Sequence, residues 1–168
     1  MKNFFSIILV LFAFCSLAAA GELNFTGEWQ LNKDKSTLGE GRRGSRMATN
    51  KMIIDHKENL KIERHSVNRD GDEVTTEETL TLDGKECKNE TNRGESVSKA
   101  KLSGDDKNLQ IESTITFQGR NGEFQMDSKQ TWSLEENGNV LVIDQTMTTP
   151  RGERSRKFYY DKVTAEKK

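Results

Sequence analysis

The sequence predicts an all-β fold: an up-and-down antiparallel meander barrel of about eight to ten strands, following a cleaved signal peptide. Three observations carry this. Beyond residue 24, apolar and polar residues alternate at period two, and no stretch shows the 3.6-residue period of an amphipathic helix. About ten such runs follow one another, separated by Gly-, Asn- and Asp-rich turns. Nearly all the connections are short enough for hairpins. Chained hairpins make a meander, whereas a sandwich needs longer crossings.

The chain opens with Lys2, an apolar stretch from Phe4 to Phe14, and the small residues Ala18-Ala19-Ala20. This reads as a secretory signal peptide over residues 1–20, cleaved after Ala20, too short and wrongly flanked for a transmembrane helix. Residues 21–168 then form one barrel domain in a secreted or periplasmic protein. The bulky Phe14 before Cys15 disfavours a lipoprotein anchor. Lys and Arg number 26 and Asp and Glu 27, a net charge of −1, which argues against a general nucleic-acid or membrane-surface binder. Cys87 is the only cysteine beyond the leader, so no intrachain disulfide forms and stability must come from a core. At 32% hydrophobic residues that core is lean.

The first strand, 25–31, puts Phe25, Gly27, Trp29 and Leu31 on one face. A Trp so early in the domain needs a partner far away in sequence. The next strands are expected at 47–56, 60–69, 73–82, 85–91 and 95–103, and the last four at 108–118, 123–134, 139–149 and 154–163. Turn residues set their registers. Asn137-Gly138 is a type I′ signal that pairs Leu134 with Leu141, Trp132 with Ile143 and Gln130 with Gln145. A loop at Gly119–Gly122 pairs Phe117 with Phe124 and Leu109 with Trp132. Asp83-Gly84 is expected to pair Leu82 with Lys85 and Leu80 with Cys87. A loop at Asp70-Gly71-Asp72 is expected to pair Ile62 with Leu80 and Arg64 with Glu78. Each choice matches the apolar faces of neighbouring strands.

These registers stack the inward residues in layers. One holds Leu60, Leu82, Leu102, Leu109, Trp132 and Ile143. The next holds Ile62, Leu80, Cys87, Ala100, Ile111, Gln130 and Gln145. The third holds Arg64, Glu78, Asn89, Ser98, Ser113, Ser128 and Met147. An inward face with Arg, Glu, Asn and serines needs partners or water, so the layers imply a water-containing cavity at one end. The bland alternative is a crossed Arg64–Glu78 pair on a wet wall. Arg42, Arg43, Arg46, Arg69, Arg93, Arg120, Arg151 and Arg154 fall in or beside loops at that same end, with Arg64 and Arg156 on strands nearby. Arg suits carboxylate or phosphate recognition, although acidic residues share the rim.

With the strands placed, the sequence resembles the calycin group, the lipocalins and fatty-acid-binding-protein-like barrels. "FTGEW" looks like their opening Gly-x-Trp strand. "NKMIIDHKENLKIERHS" is similar to the second and third strands of a ten-stranded fatty-acid-binding barrel. "WSLEENGNVLVIDQTM" looks like a late hairpin, and "SRKFYYDKV" like the final strand beside the first. In calycins a basic side chain of the last strand packs over the opening Trp. The resemblance implies Arg156 over Trp29, with Lys157 as the alternative. Fatty-acid-binding proteins grip the ligand carboxylate with an Arg-x-Tyr pair on that strand. Here Arg156-Lys157-Phe158 precede Tyr159-Tyr160, so the spacing departs from theirs. The connection "NKDKSTLGEGRRGSR" stands where those proteins carry a two-helix lid, and a flexible loop at the open mouth is expected.

His56 and His65 lie on opposite faces of their hairpin and lack neighbours at metal-ligand spacing, so no metal is expected, and no cofactor. No nucleophile motif or phosphate loop is present, so no catalytic residue is expected. Cys87 reads as a small core residue. "NFT" at Asn24 and "NET" at Asn89 match glycosylation sequons, with Asn89 facing inward. The leading function is a secreted binding protein for a small amphipathic or anionic ligand. Its apolar wall would include Leu80, Ile111, Phe117, Phe124 and Met126. Its polar contacts would come from Arg64, Glu78, Ser113, Gln130, Gln145, Arg156 and Tyr160. The alternatives are an interaction or inhibitor module acting through the Arg-rich rim, and an enzyme. A cavity of ~300 Å³ or more would favour the ligand.

Overall fold

The structure, a computed structural model, describes residues 23–38, 49–68, 70–91, 94–119, 122–150 and 152–164. The leader and seven of the loop arginines, Arg42, Arg43, Arg46, Arg69, Arg93, Arg120 and Arg151, lie outside the described residues, as does most of the connection expected to be a loop at the mouth. Ten antiparallel strands follow one another: β1 (Gly27–Asn32), β2 (Lys51–His56), β3 (Asn59–Val67), β4 (Glu73–Thr81), β5 (Asp83–Thr91), β6 (Gly94–Leu102), β7 (Asn108–Gly119), β8 (Gly122–Glu135), β9 (Val140–Thr149) and β10 (Gly152–Lys162). Their order is β4-β3-β2-β1-β10-β9-β8-β7-β6-β5, the up-and-down meander that chained hairpins imply. The two end strands, β4 and β5, come together and nearly close the barrel.

One end is filled by aromatic side chains. Phe25, just ahead of β1, is completely buried and meets Trp132 edge-on, with ring centroids 5.8 Å apart. Trp29, also fully buried, donates its indole N–H to the Phe25 carbonyl at 2.9 Å. His56 stacks on the other side of Phe25 at 5.7 Å. Around this plug pack Leu60, Leu80, Leu109, Ile111 and Leu141, all buried. The cation over Trp29 is Lys162, with Nζ 5.2 Å from the ring centroid, and neither Arg156 nor Lys157. The reason is register: β10 runs antiparallel to β1 with Trp29 opposite Lys162, which leaves Arg156 beyond the end of the β1 ladder. Gly27 makes room for the lysine stem. A Cβ there would sit 2.8 Å from Lys162 Cε, and the backbone φ of +151° already disfavours a side chain.

The late hairpins follow the expected registers. Gln130 pairs with Gln145, Trp132 with Ile143 and Leu134 with Leu141. Leu109 pairs with Trp132 and Phe117 with Phe124. Asn137 and Gly138 have φ of +57° and +84°, and Asn139 N–H closes the turn on the Glu136 carbonyl at 3.3 Å, as a type I′ turn requires. Glu136 is left-handed as well, at φ +50°.

Three early registers differ from expectation. Between β3 and β4, Leu60 pairs with Leu80, Ile62 with Glu78 and Arg64 with Thr76, a slip of two residues. Asn68 causes it. Its side-chain oxygen accepts from the N–H groups of Asp70 and Asp72 at 2.8 and 2.9 Å, which centres the turn on Asp70 instead of Gly71. Between β4 and β5 no backbone ladder forms, so the Leu82–Lys85 and Leu80–Cys87 pairs do not exist. Asp83 takes the turn over: it accepts from the Thr81 hydroxyl at 2.7 Å and the Lys85 N–H at 3.1 Å. The Lys85 ammonium beside it, helped by these bonds, holds its carboxyl down to about 2. Between β5 and β6, an irregularity after Asp83 puts Cys87 opposite Ser98 and Asn89 opposite Ser96, so Cys87 is not level with Ala100.

Replacing Trp29 by Ala removes the donor to Phe25 and the surface under Lys162. The expected loss is about 3–5 kcal/mol, read from urea unfolding. Near-native stability in that variant would contradict the plug.

Candidate functional site

Above the plug lies a cavity of about 260 Å³. The interior is therefore not packed through, and the volume falls just under the ~300 Å³ at which drug-sized ligand sites usually begin. Its two walls differ. The apolar side chains lining it, Ile115, Met126, Ile143, Met147 and Phe158, all sit on β7–β10. The facing strands β3–β6 present Arg64, Ser66, Thr76, Glu78, Asn89 and Ser96. Glu77, exposed to solvent, also borders the cavity. Residues Ser113, Ser128, Gln130 and Gln145 continue the polar surface between the walls.

Arg64 marks the boundary between plug and cavity. Its guanidinium lies 5.5 Å over the Trp132 ring. It reaches Glu78 at 3.3 Å and Met52 Sδ at 3.3 Å. The pair is diagonal across the ladder, since Arg64 stands opposite Thr76 and the long side chains cover the offset. Glu78 also accepts from Ser98 Oγ at 3.1 Å, and Ser98 meets Ser113 Oγ at 2.9 Å. This chain ties β4 to β6 and β7 past the missing ladder. Asn89 makes a second tie. Its amide oxygen accepts from Thr79 N–H at 3.0 Å while its amide nitrogen donates to the Thr79 carbonyl at 3.3 Å, replacing one ladder pair. Cys87 Sγ takes the Thr81 N–H at 3.2 Å, so the thiol both packs on the core edge and closes the seam.

The last strand turns Arg156, Phe158 and Tyr160 toward the cavity. Tyr160 donates to the Thr49 carbonyl at 3.1 Å. Burial pushes its phenol up to about 12, with the Arg64 charge pulling the other way. Arg156 has no carboxylate within ion-pair distance among the described residues. Gln130 accepts from the Trp132 indole at 2.9 Å, which leaves its amide N–H groups without a partner among the described residues. Gln145 donates to Ser128 Oγ at 3.1 Å, which leaves its amide oxygen in the same position.

Of the residues singled out from the sequence, Arg64, Glu78, Ser113, Met126, Gln130 and Gln145 line this cavity, together with Arg156 and Tyr160. Phe117 and Phe124 do not. They stack on each other at 4.9 Å, and Phe124 is 46% exposed. The reason is hairpin length. The β6 ladder ends at Ile115 and the β9 ladder at Asp127, so the β7–β8 hairpin carries both rings past its neighbours. Leu80 and Ile111 are correctly inward but belong to the sealed plug. The sequence reading missed Thr49, Ser66, Thr76, Glu77, Ser96, Ile115 and Phe158. Ile115 and Phe158 had a signal, being two residues on from assigned inward positions. Ser66 and Thr76 stand at the same spacing from Arg64 and Glu78, but as small polar residues they add no apolar signal to the pattern.

The ten-stranded, nearly closed meander fits the calycin fold that the sequence motifs suggest. No family model matches the chain, and no curated protein matches it. Among solved structures, it is similar to the crystal structure of zebrafish ileal bile acid-binding protein complexed with cholic acid. The identity is 16%, the TM-score 0.49, and the match covers 83% of this chain and 98% of that one. Among the described residues, no helix is long and apolar enough to cross a membrane.

Two outcomes follow from the site. Glu78 and Arg64 keep about a fifth of their side-chain surface accessible, 19% and 20%, so water can take over when one charge is removed. Glu78→Gln should cost about 1 kcal/mol in urea unfolding, against the ~3–5 kcal/mol of a dry broken pair. Tyr160 gives a pH dependence. The unfolded phenol ionises near 10 while the folded one holds its proton to about 12. Stability should therefore fall as pH rises from 10 to 12, by about 3 kcal/mol from this group. Tyr160→Phe should show a shallower alkaline decline, and an unchanged decline would mean the phenol is not buried.

Proposed function

We propose that this chain is a binding barrel that takes a compact amphipathic anion into the cavity, with Arg156 as the partner of the anionic group. One observation carries the reading. Arg156 is an inward guanidinium without a carboxylate partner among the described residues, in a cavity whose other arginine is matched by Glu78. Anion binding would supply what Arg156 lacks. The apolar side chains of β7–β10 would cover the rest of the molecule. We read the arrangement as one for binding: the hydroxyl that meets Glu78, that of Ser98, is buried and passes on to Ser113, so it serves the hydrogen-bonded belt that joins β4 to β6 and β7. We further propose that the protein acts outside the cytoplasm, a reading supported by Lys2, the apolar run Phe4–Phe14 and the small residues Ala18–Ala20.

The test is calorimetric titration with 3-phenylpropionate and octanoate. Arg156→Gln should weaken binding of both by at least ~10-fold, the worth of a charge-assisted hydrogen bond. Equal affinity in the variant, or no binding to the wild type, would remove the proposal.

A further inference from the structure

The walls of the cavity say more than that an anion enters. A site built for an acyl chain is apolar around most of its lining, with a few placed polar groups. Here polar and apolar surface share the lining almost evenly, and the polar groups are sorted by position. In the strand order β10 lies at the middle of the sheet, and β4 and β5 at its two ends. Closing the sheet brings those ends together, so the β4–β5 seam stands across the barrel from β10. Arg156 and Phe158 line the cavity from β10, and Glu78 and Asn89 line it from the seam. A cation and a carboxylate thus face the cavity from opposite sides.

Each end selects. The Glu78 carboxylate, its charge matched by Arg64, gives an anionic group no net attraction and favours a hydroxyl donor. Its two oxygens take Arg64 and Ser98, and each carboxylate oxygen has a second lone pair to offer. Beside it, the hydroxyls of Ser113 and Ser98 form a chain that can accept or donate as the ligand needs. Phe158 lines the cavity beside Arg156, and Met147 and Met126 line it from the next two strands, β9 and β8. Thioethers and an aromatic ring suit the faces and edges of an aromatic ring better than a hydrated polyol. Size sets the last limit. A volume of about 260 Å³ equals the share of roughly nine liquid waters at about 30 Å³ each, which is room for a ligand of about a dozen heavy atoms.

We propose that the cavity is selective for a phenolic acid: a single aromatic ring with a carboxylate at one end, held by Arg156, and a hydroxyl at the other, donated to Glu78 and the serine chain. The ring lies between them against Met126, Met147 and Phe158. This rests on the reading of Arg156 as an anion partner and adds a discriminating group at the far end.

The experiment compares three probes on the wild-type protein by calorimetry: 3-(4-hydroxyphenyl)propionate, 3-phenylpropionate and octanoate. The phenolic acid should bind at least ~10-fold more tightly than its deoxy analogue, because a site built to pair a hydroxyl penalises the compound that lacks it. Octanoate should be weaker still. Glu78→Gln should shrink the preference for the hydroxyl severalfold, read as the ratio of the affinities of the two aromatic acids. Ser113→Ala supplies a second, independent reduction of the same preference. Should both aromatic acids bind equally, or octanoate bind best, the phenolic-acid proposal is overturned while the Arg156 reading stands. If no acid binds, or Arg156→Gln changes nothing, the underlying anion reading fails as well.

Discussion

The structure depends on the contact among Phe25, Trp29 and Trp132. A meander barrel with only 32% hydrophobic residues cannot fill its whole interior. It concentrates apolar bulk at one end. Phe25 folds beneath the sheet, Trp29 anchors its carbonyl, and Trp132 meets its ring edge-on. Two buried indoles and a phenyl remove more apolar surface from water than any other three side chains here could. That closure lets the other end stay polar. Arg64 can lie against Trp132 at 5.5 Å only because the ring beneath it is held in place, and the Arg64–Glu78 pair then starts the hydrogen-bonded belt of the cavity.

The same belt solves a second problem. Barrel closure normally removes sheet edges through backbone hydrogen bonds. Here β4 and β5 meet without a ladder, and side chains do the joining. Asn89 reproduces a ladder pair on Thr79, Cys87 takes the next N–H, and Glu78 reaches Ser98 beyond the gap. Cavity polarity and barrel closure are therefore one feature. A fully apolar interior would leave nothing to bridge the seam.

The fold and the late registers were legible because hairpin turns and apolar faces constrain each other. At Asn137-Gly138 the turn type fixes the pairing, and Trp132 and Ile143 confirm it by landing on the same face. The β3–β4 and β5–β6 errors are both slips of two residues, which keep every side chain on its face. In strands rich in Thr, Glu and Ser, such a slip exchanges one polar inward residue for another and leaves no trace in the pattern. Only the Asn68 side chain decides between them at the first of these turns. The choice of Lys162 over Arg156 was illegible for another reason. The strands β1 and β10 lie at opposite ends of the domain, so no turn sets their register. Once Lys162 covers Trp29, Arg156 is left to the cavity, a role that the site reading had also given it.

The central claim is that the interior is divided, dry around Trp132 and wet around Arg156. A crystal structure of the unliganded protein at a resolution that shows ordered water tests this most directly. The account predicts waters bonded to Gln130, Gln145, Ser113 and Arg156, and none between Trp132, Phe25 and Leu109. Side chains collapsed into the cavity, or waters running through to Trp29, would contradict it.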